Sequence, residues 1–151
     1  MGVEMRGFIA FMLIATVSFG ENISKARIEE GRNKLKLYGL AECLIPQYKK
    51  ISKDNKNDPI LNDIYKASAS SYWTALGIHR LKEEPYTFKT IYDPYKETEK
   101  YVKKAYPKTL AYANSQTGGE IIMLRCFEIY NSKGFNDFIK KQDKYIESSP
   151  Y

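Results

Sequence analysis

Three side chains stand out as able to do covalent or proton-transfer chemistry: Cys43, Cys126 and His79, the two cysteines and the one histidine of the chain. A thiol becomes a nucleophile when a base takes its proton, so a cysteine–histidine pair is the minimum for thiolate catalysis. In an oxidising compartment an even pair of cysteines forms, most simply, one disulfide. A Cys43–Cys126 bridge would close a loop of about 80 residues, which chain-entropy arithmetic values at up to ~4.5 kcal/mol. That is a large share of the ~5–15 kcal/mol that holds a typical domain folded. The disulfide is the expected state and a catalytic thiol its rival. His79 falls in a stretch with helical spacing and is expected as a satisfied core residue on the inner edge of a helix, not as a ligand.

Paired carboxylates are the other source of acid–base chemistry. Glu83-Glu84 and Glu97/Glu99 are such pairs, and in a basic helical protein they are expected as solvated faces. The chain has no G-x-S-x-G elbow, no H-E-x-x-H pair, no metal-spaced cysteine or histidine cluster and no phosphate-binding glycine loop. Gly118-Gly119 reads as a helix start. No catalytic residue, metal or cofactor is expected, and the chain reads as a binder.

The elements that would carry these residues are helical. From Ile28 to Ile51, apolar residues recur at Leu37, Leu40, Ala41, Leu44, Tyr48 and Ile51, with Cys43 at the edge of the stripe and Pro46 expected to kink it near Glu42. Asp58-Pro59 starts a second helix, with aspartate capping free N–H groups and proline in the first turn. Its stripe is Leu61, Ile64, Tyr65, Ser68, Tyr72, Ala75, Leu76 and His79, and its small centre, Ala67 to Ser71, invites close approach. A third helical region runs from Tyr86 to Ala105 through Phe88, Ile91, Tyr92, Tyr95 and Val102, with Asp93-Pro94 kinking or restarting it. Thr117 and Glu120 have capping-box spacing for a fourth helix holding Ile121, Ile122, Leu124, Cys126, Phe127, Ile129 and Tyr130. Ser132 can cap a fifth with Phe135, Phe138, Ile139, Gln142 and Tyr145 in line. No alternating stretch is long enough for a sheet. The fold class is all-α, a small bundle of about five helices in which the disulfide ties the first to the fourth.

The N-terminus places the domain. After Arg6 an apolar run from Phe8 to Val17 leads to Ser18 and Gly20, small residues at the spacing a signal peptidase requires. The run is about ten residues, against roughly twenty for a bilayer-spanning helix. Residues 1–20 are therefore expected as a cleaved signal peptide and 21–151 as a single exported domain, with an uncleaved anchor as the alternative. The net charge of +6 comes from scattered lysines, in pairs such as Lys49-Lys50, Lys103-Lys104 and Lys140-Lys141, without a run suited to nucleic acid.

Thirteen tyrosines complete the picture. Tyr65, Tyr72, Tyr95 and Tyr130 lie on core-facing stripes. Tyr86, Tyr106 and Tyr112 sit in or beside breaks, where they either form a recognition surface or cover the bundle ends.

Two segments carry more than pattern. Met123-Leu124-Arg125-Cys126-Phe127-Glu128-Ile129-Tyr130-Asn131-Ser132-Lys133, followed by Phe135, resembles the C-terminal signature of the type VI secretion amidase immunity proteins. Its marks are a basic residue before the cysteine, an acidic one two positions after, an aromatic and a serine–lysine helix start. Tyr38-Gly39-Leu40-Ala41-Glu42-Cys43-Leu44, with Tyr48-Lys49, is similar to the family's first-helix cysteine motif, and the small-residue second helix ending near Tyr72 fits as well. The likeness spans Leu37 to Tyr145, and its specific part is the segment around Cys126. Gly134, Pro46 and a long connection from Pro107 to Tyr112 depart from the pattern.

The resemblance implies a small periplasmic helical bundle with an internal disulfide, often dimeric, without a stable membrane anchor. It implies a partner: a papain-like peptidoglycan amidase injected by other cells, blocked by a protruding loop in its cleft. On this chain the candidate loop is Tyr112, Asn114, Ser115, Gln116, Thr117, Gly118 and Gly119. The competing expectation is an exported basic module that associates with the cell wall or anionic lipid and inhibits nothing. A secreted enzyme of another type lacks a plausible nucleophile–base pair.

Overall fold

The structure is a computed structural model that describes residues 23–110 and 121–147. The expected signal peptide, residues 1–20, and the candidate loop, Tyr112 to Gly119, lie outside the described residues.

Helix α1, Lys25–Ile51, is the spine of an all-α bundle, and α2 to α5 all pack against it. Ser24 starts it by accepting from the Arg27 N–H at 3.2 Å. Pro46 lies inside α1, which continues past it to Ile51. Because neighbours cover more than one side of α1, its burial is not a single stripe. Leu35, Tyr38, Cys43 and Ile45 are buried with Ala41 and Leu44, while Leu37 and Ile51 of the expected stripe are exposed.

Helix α2, Pro59–Leu76, begins as its sequence requires: Asp58 Oδ1 accepts from the N–H groups of Ile60 and Leu61, both at 2.9 Å. Leu61, Ile64, Ser68 and Ala75 face the core. Of the small central residues only Ser68 turns inward; Ala67, Ala69 and Ser70 are exposed.

The region from Tyr86 to Tyr92 is not helical. Strands β1, Lys82–Glu83, and β2, Thr90–Tyr92, form an antiparallel hairpin closed by the Glu84 N–H on the Lys89 carbonyl at 2.9 Å. Pro85 and the β-favouring run Thr87-Phe88-Lys89-Thr90-Ile91-Tyr92 decide this locally. The helical spacing of Phe88 and Ile91 is coincidental: Phe88 is 77% exposed with φ of 53°, and Ile91 is also exposed. Asp93-Pro94 then restarts the chain as α3, Pro94–Ala105, with Asp93 Oδ1 accepting from Tyr95 N–H at 2.8 Å. A 3₁₀ turn, Tyr106–Lys108, follows.

Helix α4, Ile122–Asn131, has no side-chain cap at Ile121, and the expected Thr117–Glu120 capping box lies outside the described residues. Helix α5, Lys133–Lys140, is capped by Ser132 Oγ, which accepts from Phe135 N–H at 3.1 Å, as its sequence indicates. A second 3₁₀ turn, Asp143–Tyr145, leads to Ile146, which pairs with His79 in an isolated bridge.

The core runs along α1 through Leu35, Tyr95, Val102, Phe135 and Ile139, all essentially inaccessible. Burying each such side chain stabilises the fold by about 1.5–3 kcal/mol. Gly39 permits the closest approach: a Cβ there would lie 2.8 Å from Phe135 Cζ and 2.9 Å from Thr98 Cγ2. Gly134 likewise leaves room for the Tyr101 hydroxyl, 2.9 Å from where its Cβ would be. Among the described residues no helix is long and apolar enough to cross a membrane.

Candidate functional site

Cys43 and Cys126 form the disulfide, joining the middle of α1 to the middle of α4, and both are buried. The bond takes up both cysteines of the chain, so neither is a thiol. It brings the two segments of the resemblance, 83 residues apart in sequence, side by side.

The charged residues flanking Cys126 hold the chain on the near side of residues 111–120. Arg125 Nε donates to Thr109 Oγ1 at 2.6 Å and its Nη2 donates to the Tyr106 carbonyl at 2.8 Å. Its guanidinium lies over the Tyr106 ring, 4.2 Å from the centroid. Glu128 Oε1 accepts from the Leu110 N–H at 3.1 Å. After residues 111–120, Ile122 is buried. The basic and acidic residues around Cys126 thus form a clamp on residues 106–110, a role their sequence positions alone do not reveal. Lys36 from α1 adds a cation–π contact, 4.1 Å above Tyr130.

Helix α4 buries only Ile122, Cys126 and Ile129. Leu124 and Phe127, expected in the core, are exposed instead and lie with Met123 on an apolar outer face.

No protein-family model, curated protein or solved structure matches the chain.

His79 sits elsewhere, past the end of α2 and not in a helix. It is fully buried, as a core residue should be, yet neither ring nitrogen has a hydrogen-bond partner among the described residues, so it is not the satisfied residue expected. Burial pushes its pKa down to about 4, with Asp143 opposing. Leaving an imidazole N–H unpaired costs about 1–3 kcal/mol. With both cysteines in the disulfide and the imidazole fully buried, His79 does not form the cysteine–histidine pair of thiolate catalysis.

The tyrosines divide differently from their spacing. Tyr95 is buried, Tyr72 and Tyr130 are partly buried, and Tyr65 is exposed. Of the tyrosines beside breaks, Tyr106 is buried under Arg125, Tyr86 is almost fully exposed at the hairpin tip, and Tyr112 is outside the described residues. Glu97 and Glu99 pair with Lys100 and Lys103 along the outer face of α3, and Glu83 and Glu84 are exposed on the hairpin. Among the described residues no group of three histidine, cysteine or carboxylate side chains converges as for a metal ion.

Proposed function

We propose that this protein is a periplasmic immunity protein that binds a type VI secreted peptidoglycan amidase and occludes its active-site cleft. The observation that carries this reading is the exposed apolar face of α4, Met123, Leu124 and Phe127, beside a disulfide and clamp that hold it rigid. An inhibitor gains affinity when its contact surface is ordered before binding, since less freedom is lost in the complex. A face of large apolar side chains on a cross-braced helix meets that need. Residues 112–119 precede α4 in the sequence and are the proposed cleft-entering segment. The signal-like leader and the disulfide suit a partner that works in the cell envelope.

The test is a titration of the oxidised protein against a secreted cysteine–histidine amidase encoded beside it, with peptidoglycan fragments as substrate. Loss of cleavage near one-to-one stoichiometry supports the proposal. Replacing Asn114, Ser115 and Gln116 together by alanine should weaken inhibition without lowering the melting temperature, and unchanged affinity would remove that segment from the mechanism. Absence of both inhibition and complex, with retention on wall sacculi that moderate salt reverses, would favour the wall-associated module instead.

A further inference from the structure

Between α1 and α2, away from the α4 face, lies an open cavity of about 340 Å³. Its walls are aromatic: Tyr38 from α1, and Tyr65, Tyr72 and Trp73 from α2. The rings of Tyr38 and Tyr72 are 6.0 Å apart and tilted, and Trp73 stands nearly perpendicular to Tyr72 at 5.7 Å. Trp73 is 71% exposed, a large aromatic ring left in water beside the groove.

One carboxylate, Glu42, shares this cavity. Its Oε1 accepts from the Ser68 hydroxyl at 2.7 Å, which orients it. Among the described residues no lysine or arginine pairs with it, although the chain carries 24 basic residues against 18 acidic ones. Carboxylates elsewhere on the surface do find lysines, as Glu97 and Glu99 do. Glu42 is partly buried, so its charge is less hydrated than that of a free side chain and a cation brought beside it gains more.

The local field has the same sign. Burial pushes the Tyr38 hydroxyl pKa up, and Glu42, Glu99 and Asp93 push it further in the same direction. The Lys49 ammonium lies 5.5 Å above the ring of Tyr65, one of the lining residues, so that ring accepts an ammonium ion within the molecule itself. Aromatic faces carry negative charge at their centres, and a carboxylate among them completes a box for a cation.

We propose that this groove is a recognition site for a cationic side chain, lysine or arginine, presented by a protein partner. The alkyl stem would lie along Tyr72 and Trp73 while the charged head reaches Glu42. Neutral side chains of the same shape would keep the apolar contact and lose the charge-assisted bond.

Trp73 is the only tryptophan of the chain, so its fluorescence reports on this groove alone. The oxidised protein would be titrated at constant ionic strength with the N-acetyl methylamides of lysine, arginine and norleucine, with n-butylammonium and with chitobiose. A saturable change is expected for lysine or arginine at dissociation constants on the order of millimolar, and none for norleucine over the same range. Glu42→Gln keeps the oxygen that Ser68 donates to, so the helices should stay in place, and it should weaken cation binding about tenfold. A melting temperature equal to that of the parent protein checks the fold. Equal responses to lysine and norleucine, no response to either cation, or unaltered binding by Glu42→Gln would each overturn the proposal. Tighter binding of n-butylammonium than of the lysine amide would assign the groove to free amines, and a response to chitobiose alone would assign it to sugars. No amidase enters the titration, so its failure leaves the proposed inhibition untouched.

Discussion

Arg125 stacks its guanidinium on the ring of Tyr106 and donates from Nη2 to the carbonyl of the same residue. One side chain thus reads both the face and the backbone of Tyr106, and a third contact, to Thr109, extends the hold. A planar donor is required for this, because an ammonium is a point charge that cannot stack and bond at once. Arg125→Lys should therefore destabilise the fold by about 1–2 kcal/mol, read as a shift in the urea midpoint at unchanged slope. If the proposed inhibition depends on a rigid exit into residues 111–120, the same variant should inhibit more weakly at temperatures where it remains fully folded.

Removal of the disulfide separates the spine from α4. Replacing Cys43 and Cys126 together by serine leaves no unpaired thiol and should lower stability by up to about 4.5 kcal/mol, set by the length of the closed loop. The comparison to make is urea unfolding of the oxidised protein, the reduced protein and the double variant. Reduced protein and variant should behave alike, and both should lose protection of α4 amides from hydrogen exchange before those of α1.

His79 makes stability depend on pH in a defined window. In the unfolded chain the imidazole takes a proton near pH 6.5, whereas in the folded protein it does so only at about 4. Between these values the unfolded state binds more protons, so stability is fully present above 6.5 and falls as the pH drops towards 4. The loss amounts to about 3 kcal/mol and stops growing below 4, where both states carry the charge. Melting temperatures measured from pH 7.5 to 5 should show this slope. His79→Leu should abolish it there, and because His79 is the one histidine no second imidazole contributes.

Gly39 tests the close approach of α5 to the spine. Alanine is the better helix former by about 1 kcal/mol, so propensity alone predicts that Gly39→Ala stabilises α1. Its Cβ would fall within 3 Å of both the buried Phe135 ring and Thr98, and neither can move into open space. The substitution should therefore destabilise by about 1–2 kcal/mol, measured by thermal or urea unfolding.

Much of this fold is legible locally. The starts of α2, α3 and α5 are written in Asp58-Pro59, Asp93-Pro94 and Ser132, because a cap needs only a side-chain oxygen within reach of the next few N–H groups. The cysteine pair, too, announces its bond. The hairpin escaped because two apolar residues, Phe88 and Ile91, satisfy a helical period by chance over a stretch too short for periodicity to exclude a turn.

What the amino-acid order determined by itself, then, is that the chain folds as about five helices, where α2, α3 and α5 begin, and that one covalent bridge would link two of them. Tertiary structure alone decided which side of α4 is inside and how much of α1 is covered. Leu124 and Phe127 look like core residues yet face outward, and Glu42 looks like any surface carboxylate yet sits among aromatic rings. Burial belongs to the neighbours a side chain meets, and those neighbours come from residues far away along the chain. The clamp of Arg125 on Tyr106 and the groove of Tyr38, Glu42 and Trp73 exist only once α1 has gathered the other helices around it.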